Sequence, residues 1–230
     1  MGIGYKLFYR KPKKWLWNAY INKLIPARVD YYIHNLPDLQ ISGWGLDIGC
    51  GKGLITSRIA DKYGIKMVGV DMVNRREDEG AFLLADGIRL PFKDGLFSLV
   101  TCFSLIEHVL VEQRAKLYGE VYRVLCQGGH LVIQHPNRYF FIEQHSYLPF
   151  IGYLPSQLHG VFYQDYCRIP SKNKLLADLV SAGFRLESLD ILEAPYLPPS
   201  KLLSKMKIFR LFPFGYLITL RKPLTSKAAN

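Results

Sequence analysis

Gly45-Leu46-Asp47-Ile48-Gly49-Cys50-Gly51-Lys52-Gly53 is the stretch whose reading decides the fold. A short apolar run from Trp44 to Ile48 ends in glycines at alternate positions. Leu54, Ile55, Ile59 and Ala60 then follow at helical spacing, and Gly64 sits where a helix stop belongs. Trp44–Ile48 therefore reads as a buried strand and Leu54–Tyr63 as the helix after it. Alternate glycines let the backbone turn sharply and approach a ligand with no β-carbon in the way. The helix N-terminus beyond them offers free amide donors. A nucleotide-like ligand is the expectation for such a turn. A dinucleotide loop shows G-x-G-x-x-G, but here the sixth position is Leu54, and that pattern has no acid two residues before its first glycine, where this chain has Asp47.

The alternation continues outward from this turn. Lys66–Val70, Ala81–Ala85, Phe97–Phe103, His130–Gln134, Phe184–Ile191 and Tyr216–Arg221 read as further strands. Val111–Leu125 carries Val111, Ala115, Tyr118, Val121, Tyr122 and Leu125 on one face and reads as a helix closed by Gly128-Gly129. Lys174–Ala182 reads as another, ended by Gly183. Strands alternating with helices imply a mostly parallel sheet covered on both faces, and such sheets bind ligands at the carboxyl ends of their strands. Gly49, Asp71, Asp86, Phe103 and His135 all fall at those ends. Only about nine residues join Asp71 to Ala81. A parallel crossover normally needs a dozen or more, so this connection is expected to be a shortened helix or an irregular loop.

Four further segments sharpen the ligand. Gly69-Val70-Asp71 places an acid at the end of the second strand, about 20 residues after the loop, where it can accept from both ribose hydroxyls. Leu84-Ala85-Asp86-Gly87-Ile88-Arg89-Leu90-Pro91-Phe92 precedes Asp94 and Phe97-Ser98-Leu99-Val100. Phe103-Ser104-Leu105-Ile106-Glu107-His108-Val109 follows the fourth strand, and Leu125-Cys126-Gln127-Gly128-Gly129 leads into the fifth. Together with Asp47 to Gly53, these resemble the ordered motifs of the class I S-adenosylmethionine-dependent methyltransferases, in particular the methyltransferase type 11 group. The resemblance covers about residues 45–135. Ser98 stands where the family usually has Asp, and Cys126-Gln127 replaces Lys-Pro.

The resemblance implies an α/β, Rossmann-like, seven-stranded, mostly parallel sheet with helices on both faces and the last strand antiparallel. It implies S-adenosyl-L-methionine as cofactor. Asp47, Gly49, Cys50, Gly51 and Gly53 would form its loop. Asp71 and Met72 would hold the ribose side, and Asp86 with Gly87 the adenine. Phe103, Ser104 and His108 would line the cleft, although His108 equally suits packing against the sheet.

The acceptor side is expected after the fifth strand, in an insertion at about 136–170. Glu143, His145 and His135 are the candidates for a general base there. His135, Glu143, His145 and His159 are too irregularly spaced for a metal site, so no metal is expected. The stretch Thr101-Cys102-Phe103-Ser104 lacks both the D/N-P-P-Y/F turn and the Pro-Cys of DNA base methylases, which argues against DNA.

The formal net charge of +11 is concentrated at the two ends of the chain. Residues 1–44 carry seven Lys/Arg against Asp30 and Asp38, and residues 197–230 carry seven and no acid. These flanks suit an anionic membrane or RNA, or are simply a solvated basic surface. Residues 1–40 read as a basic, aromatic extension packed on a 41–230 domain. Lys14–Leu24 is a candidate amphipathic helix with Pro26 as its strongest stop. A basic helix at about 199–212 places Leu202, Leu203, Met206 and Phe209 on one face. That face fits either a membrane surface or a covering role in the fold. Cys50, Cys102, Cys126 and Cys167 show no C-x-x-C spacing. With no signal peptide pattern and no apolar run long enough to span a bilayer, the expected location is cytoplasmic, with peripheral membrane contact. The expected acceptor is small or lipid-like, RNA stays open as a partner, and a catalytically silent relative would not need both acids and all the glycines.

Overall fold

A computed structural model describes residues 25–77, 79–140, 150–155, 167–193 and 213–224. The Lys14–Leu24 and 199–212 helices expected above lie outside these residues. Within them the chain runs α1 (Ile25–Asn35), β1 (Trp44–Ile48), α2 (Leu54–Tyr63), β2 (Lys66–Asp71), β3 (Ala81–Leu84), β4 (Phe97–Phe103), α3 (Arg114–Val124), β5 (Leu125–Pro136), α4 (Lys172–Ser181), β6 (Arg185–Leu192) and β7 (Gly215–Arg221). The strands form one seven-stranded sheet in the order β3-β2-β1-β4-β5-β7-β6. β1 pairs in parallel with β2 and β4, β2 with β3, and β4 with β5. β7 alone runs antiparallel, against both β5 and β6.

Each strand feeds two cores through its side-chain alternation. Leu46, Ile48, Val100, Leu131, Ile133 and Ile218 pack with Leu117, Val121 and Leu175 under α3 and α4. Met67, Leu99, Phe103, Val132 and Leu217 pack on the opposite face with Tyr32, Leu36 and Ile59, under α1 and α2. The strand order reverses between β1 and β4, so the carboxyl ends of those two strands flank the crevice where this fold binds ligands.

Three sequence expectations change. Pro26 does not stop a helix, because it lies in the first turn of α1. Its missing N–H is one of the unpaired donors of a helix start, so proline is tolerated there. Val29, Tyr32 and Leu36 then face the sheet and are buried. Gly128-Gly129 does not separate helix from strand either, since β5 runs through both.

The third change concerns the short β2–β3 connection. Its described residues form an irregular loop in which Arg76 stands in for the crossover helix. The guanidinium Nη1 donates to Ala81 O at 3.2 Å and lies 5.8 Å from the Phe82 ring centroid. Gly69 makes room for it: a β-carbon there would stand 2.6 Å from Arg76 Nη1 and 2.8 Å from Cys50 Sγ. Without helix cover, Leu83 and Leu84 on β3 remain exposed. Among the described residues no helix is long and apolar enough to cross a membrane.

Candidate functional site

The loop after β1 is built on positive backbone angles. Gly49, Gly51 and Gly53 have φ of +75°, +52° and +85°, a region that side chains with a β-carbon adopt at a cost. Gly49 N–H and Cys50 N–H both donate to Val70 O, at 2.8 and 3.1 Å, which ties the loop to the end of β2. Gly51 N–H donates to Asp71 Oδ2 at 3.0 Å, and Asp71 Oδ1 accepts from Val73 N–H at 3.0 Å. A β-carbon on Gly51 would meet open space. The helix behind it, α2, starts with no side-chain cap, leaving its first amides facing that space.

Asp47 lies beneath the loop and does not line it. It is 2% exposed, and its two oxygens accept from Thr56 Oγ1 at 2.6 Å and Thr101 Oγ1 at 2.8 Å. Burial pushes its carboxyl up to about 6, against the opposing pull of those hydroxyls. The acid thus bolts β1 to α2 and β4. Cys50 is buried as well, and burial raises its thiol to about 12, so it stays protonated and unreactive at neutral pH.

The other expected cofactor residues converge on the same crevice. Met72, 67% exposed, follows Asp71. Asp86 uses Oδ1 to accept from Ile88 N–H at 3.1 Å, and Gly87 is tight against Ile48 and Leu117, where a β-carbon would come within 3.0 Å of each. Phe103 stacks on Tyr32 of α1 with ring centroids 5.9 Å apart. Ser104 follows at the end of β4, and His108 is exposed on the short 3₁₀ turn Ile106–His108.

His135 is sequestered away from this crevice. It is fully buried on the face of β5 that packs under α3 and α4, and its Nε2 lies 3.0 Å from Pro170 O. Burial drives the imidazole down to about 4, so the neutral ring donates from Nε2 and holds the 167–171 segment. The expectation of a base at His135 is replaced by this structural role. Glu143, His145 and His159 lie outside the described residues. Sequence reading missed Thr56 and Thr101, ordinary residues in a helix and a strand, and Arg76, which only the short β2–β3 connection pointed to.

These residues fit S-adenosylmethionine. Asp71 keeps spare lone pairs for a ribose diol, Met72 offers an apolar flank, Asp86 has a second oxygen for an amino group, and Gly51 leaves backbone open beneath the chain. The family model described as a methyltransferase domain matches residues 46–133. The demethylmenaquinone methyltransferase of Thermus thermophilus is 31% identical over 60% of this chain and 73% of its own length.

The chain belongs to the class I S-adenosylmethionine-dependent methyltransferases.

Norajmaline N-methyltransferase of Rauvolfia serpentina is 34% identical, but the match covers only 38% of this methyltransferase and about a third, 34%, of the plant enzyme. A solved S-adenosylmethionine-dependent methyltransferase from Archaeoglobus fulgidus shares the fold with a TM-score of 0.63 at 20% identity, covering 92% of this chain and all of that one.

Proposed function

We propose that this protein transfers a methyl group from S-adenosylmethionine to a small-molecule or lipid-like acceptor. Bound at Gly49–Gly53, the cofactor supplies a methyl carbon on a sulfonium. Asp71 accepts from its ribose, Asp86 from its adenine amino group, and the loop amides cover its methionine end. Methyl transfer is an in-line displacement, so the protein's task is to hold an acceptor lone pair about 3 Å from that carbon and exclude water. Glu143 and His145, on the segment after β5, are our candidates for removing the acceptor's proton.

The observation that carries the acceptor class is an aromatic cluster on that segment. Tyr153 stands 5.4 Å from Tyr139 and 6.2 Å from Phe150 between ring centroids, and all three rings are exposed. Arg138 pins the cluster by donating to Gly152 O and Leu154 O, at 2.8 and 3.2 Å, and Tyr153 Oη donates to Tyr139 O at 2.9 Å. Such a surface suits an apolar or aromatic acceptor and an interfacial setting at a membrane. Demethylmenaquinone, norajmaline and tocopherol, in the names of similar enzymes, are small organic acceptors, which agrees with this class. Incubating cell extract with methyl-labelled cofactor and this protein, then separating lipid, small molecules, RNA and protein, tests it. Label in the lipid or small-molecule fraction is expected; label confined to RNA or protein would refute the acceptor class.

The two basic flanks favour a second reading, an RNA methyltransferase. Phosphate contacts by those lysines and arginines would weaken steeply with salt. RNA binding that is absent at low salt, or unchanged from low to high salt, would remove that reading.

A further inference from the structure

Ser104 closes β4 with φ +47°. With Phe150 it is one of two non-glycine residues at positive φ among the described residues. A β-carbon makes that conformation unfavourable, so its neighbours must hold it. Gln134 on β5 does so twice. Its carbonyl accepts from Ser104 N–H at 3.1 Å, and its Oε1 accepts from the Ser104 hydroxyl at 2.6 Å. Gln134 is wholly buried, and its Nε2 has no hydrogen-bond partner among the described residues. Burying an amide donor unpaired is unfavourable, and an apolar side chain of the same length would serve the core better. The polar purpose of this side chain is therefore its bond to Ser104.

The turn that Gln134 holds bears directly on the cofactor loop. Leu105 lies against Gly49, where a β-carbon would come within 2.9 Å of Leu105 Cδ1. If Ser104 relaxed to an ordinary φ, the chain direction would change at the residue just before Leu105, and Leu105 could not keep this contact.

We propose that Gln134 is a positioning residue for the cofactor loop: it clamps Ser104 in the left-handed conformation and so fixes Leu105 as the wall on which Gly49 rests. The inference rests on the reading of Gly49–Gly53 as the S-adenosylmethionine cradle.

A double-mutant cycle read by calorimetric titration of S-adenosylmethionine into the full chain tests it. Gln134→Met keeps the volume and removes the clamp, and it weakens binding about tenfold, or about 1.4 kcal/mol. Ser104→Gly needs no clamp, because glycine adopts positive φ freely, and it binds within about twofold of wild type. The decisive variant combines the two and recovers to within about threefold of wild type. Equal losses from Gln134→Met in both backgrounds overturn the clamp, since a packing role does not depend on residue 104. Wild-type affinity in Gln134→Met overturns it too. If Gln134→Met does not fold, Ser104→Ala decides: it keeps the β-carbon without the hydroxyl, and binding as tight as that of Ser104→Gly refutes the proposal. A wild-type chain that binds no cofactor overturns the cradle and the clamp together, whereas tight wild-type binding with additive losses overturns the clamp alone.

Discussion

Asp71 Oδ2 accepts a hydrogen bond from the Gly51 amide at 3.0 Å, joining the end of β2 to the middle of the glycine loop across twenty residues of chain. One carboxylate therefore shapes the loop and presents lone pairs to a ribose. Loop geometry and ligand recognition are coupled through it, which makes the surrounding substitutions informative.

Gly51→Ala places a methyl group in the open space above the loop, at a φ of +52°. The strain costs on the order of 1 kcal/mol of stability. The methyl also intrudes where the cofactor lies, so affinity is expected to fall by about a hundredfold, or about 2.7 kcal/mol. Melting temperature and calorimetric affinity measured on the same sample separate the two effects. A loss of stability with unchanged affinity would show that Gly51 does not face the ligand.

Asp47 gives a pH signature of defined sign. Its carboxyl stands at about 6 in the fold, above its usual 3.8. The folded chain therefore holds this proton more tightly than the unfolded chain does, and stability falls as pH rises from about 4 to about 6. Asp47→Asn removes that slope and at pH 7 raises stability by roughly 1–3 kcal/mol. Denaturant unfolding across this window checks it.

His135 acts in the opposite sense. Its imidazole is held down at about 4, against a usual 6.5. Its contribution is complete above pH 6.5 and is lost as pH falls through about 4. His135→Gln can still donate to Pro170 O and is expected to flatten the acid limb of the stability profile. Methyl transfer at pH 7 is expected to stay within about threefold of wild type; a loss of about a thousandfold would return His135 to the chemistry. In the wild type the two slopes overlap and partly cancel, so single variants are needed to expose them.

Arg123 tests the fold independently of the site. Its guanidinium donates to Glu120, Asp94, Leu90 O and Phe92 O, at 2.7 to 2.9 Å, and pins the Leu90-Pro91-Phe92 stretch to α3. Arg123→Ala strands two backbone carbonyls and is expected to cost about 2 kcal/mol of stability, with cofactor affinity changed by less than about threefold.

The glycine loop, the acids at the ends of β2 and β3 and the strand–helix alternation were legible because each rests on local chemistry: spacing, a strand end, a helix stop. Pro26 misled because proline is read as a stop, while at a helix start its missing donor costs nothing. His135 misled because it was weighed by residue type. The period of two through Leu131 and Ile133 already placed it on the face packed under α3 and α4. Asp47 was legible as part of the loop motif, but its burial depends on Thr56 and Thr101 arriving from α2 and β4, which no single stretch reveals. Gln134 drew no notice, because a polar residue in an apolar strand gains meaning only when Ser104 stands beside it.

The most direct test of the account is calorimetric titration of S-adenosylmethionine into the wild-type chain and into Asp71→Ala. The account predicts one binding site in the wild type, weakened by at least about a hundredfold in the variant, which loses both the loop anchor and the ribose acceptor. No binding in the wild type, or undiminished binding in Asp71→Ala, would contradict it.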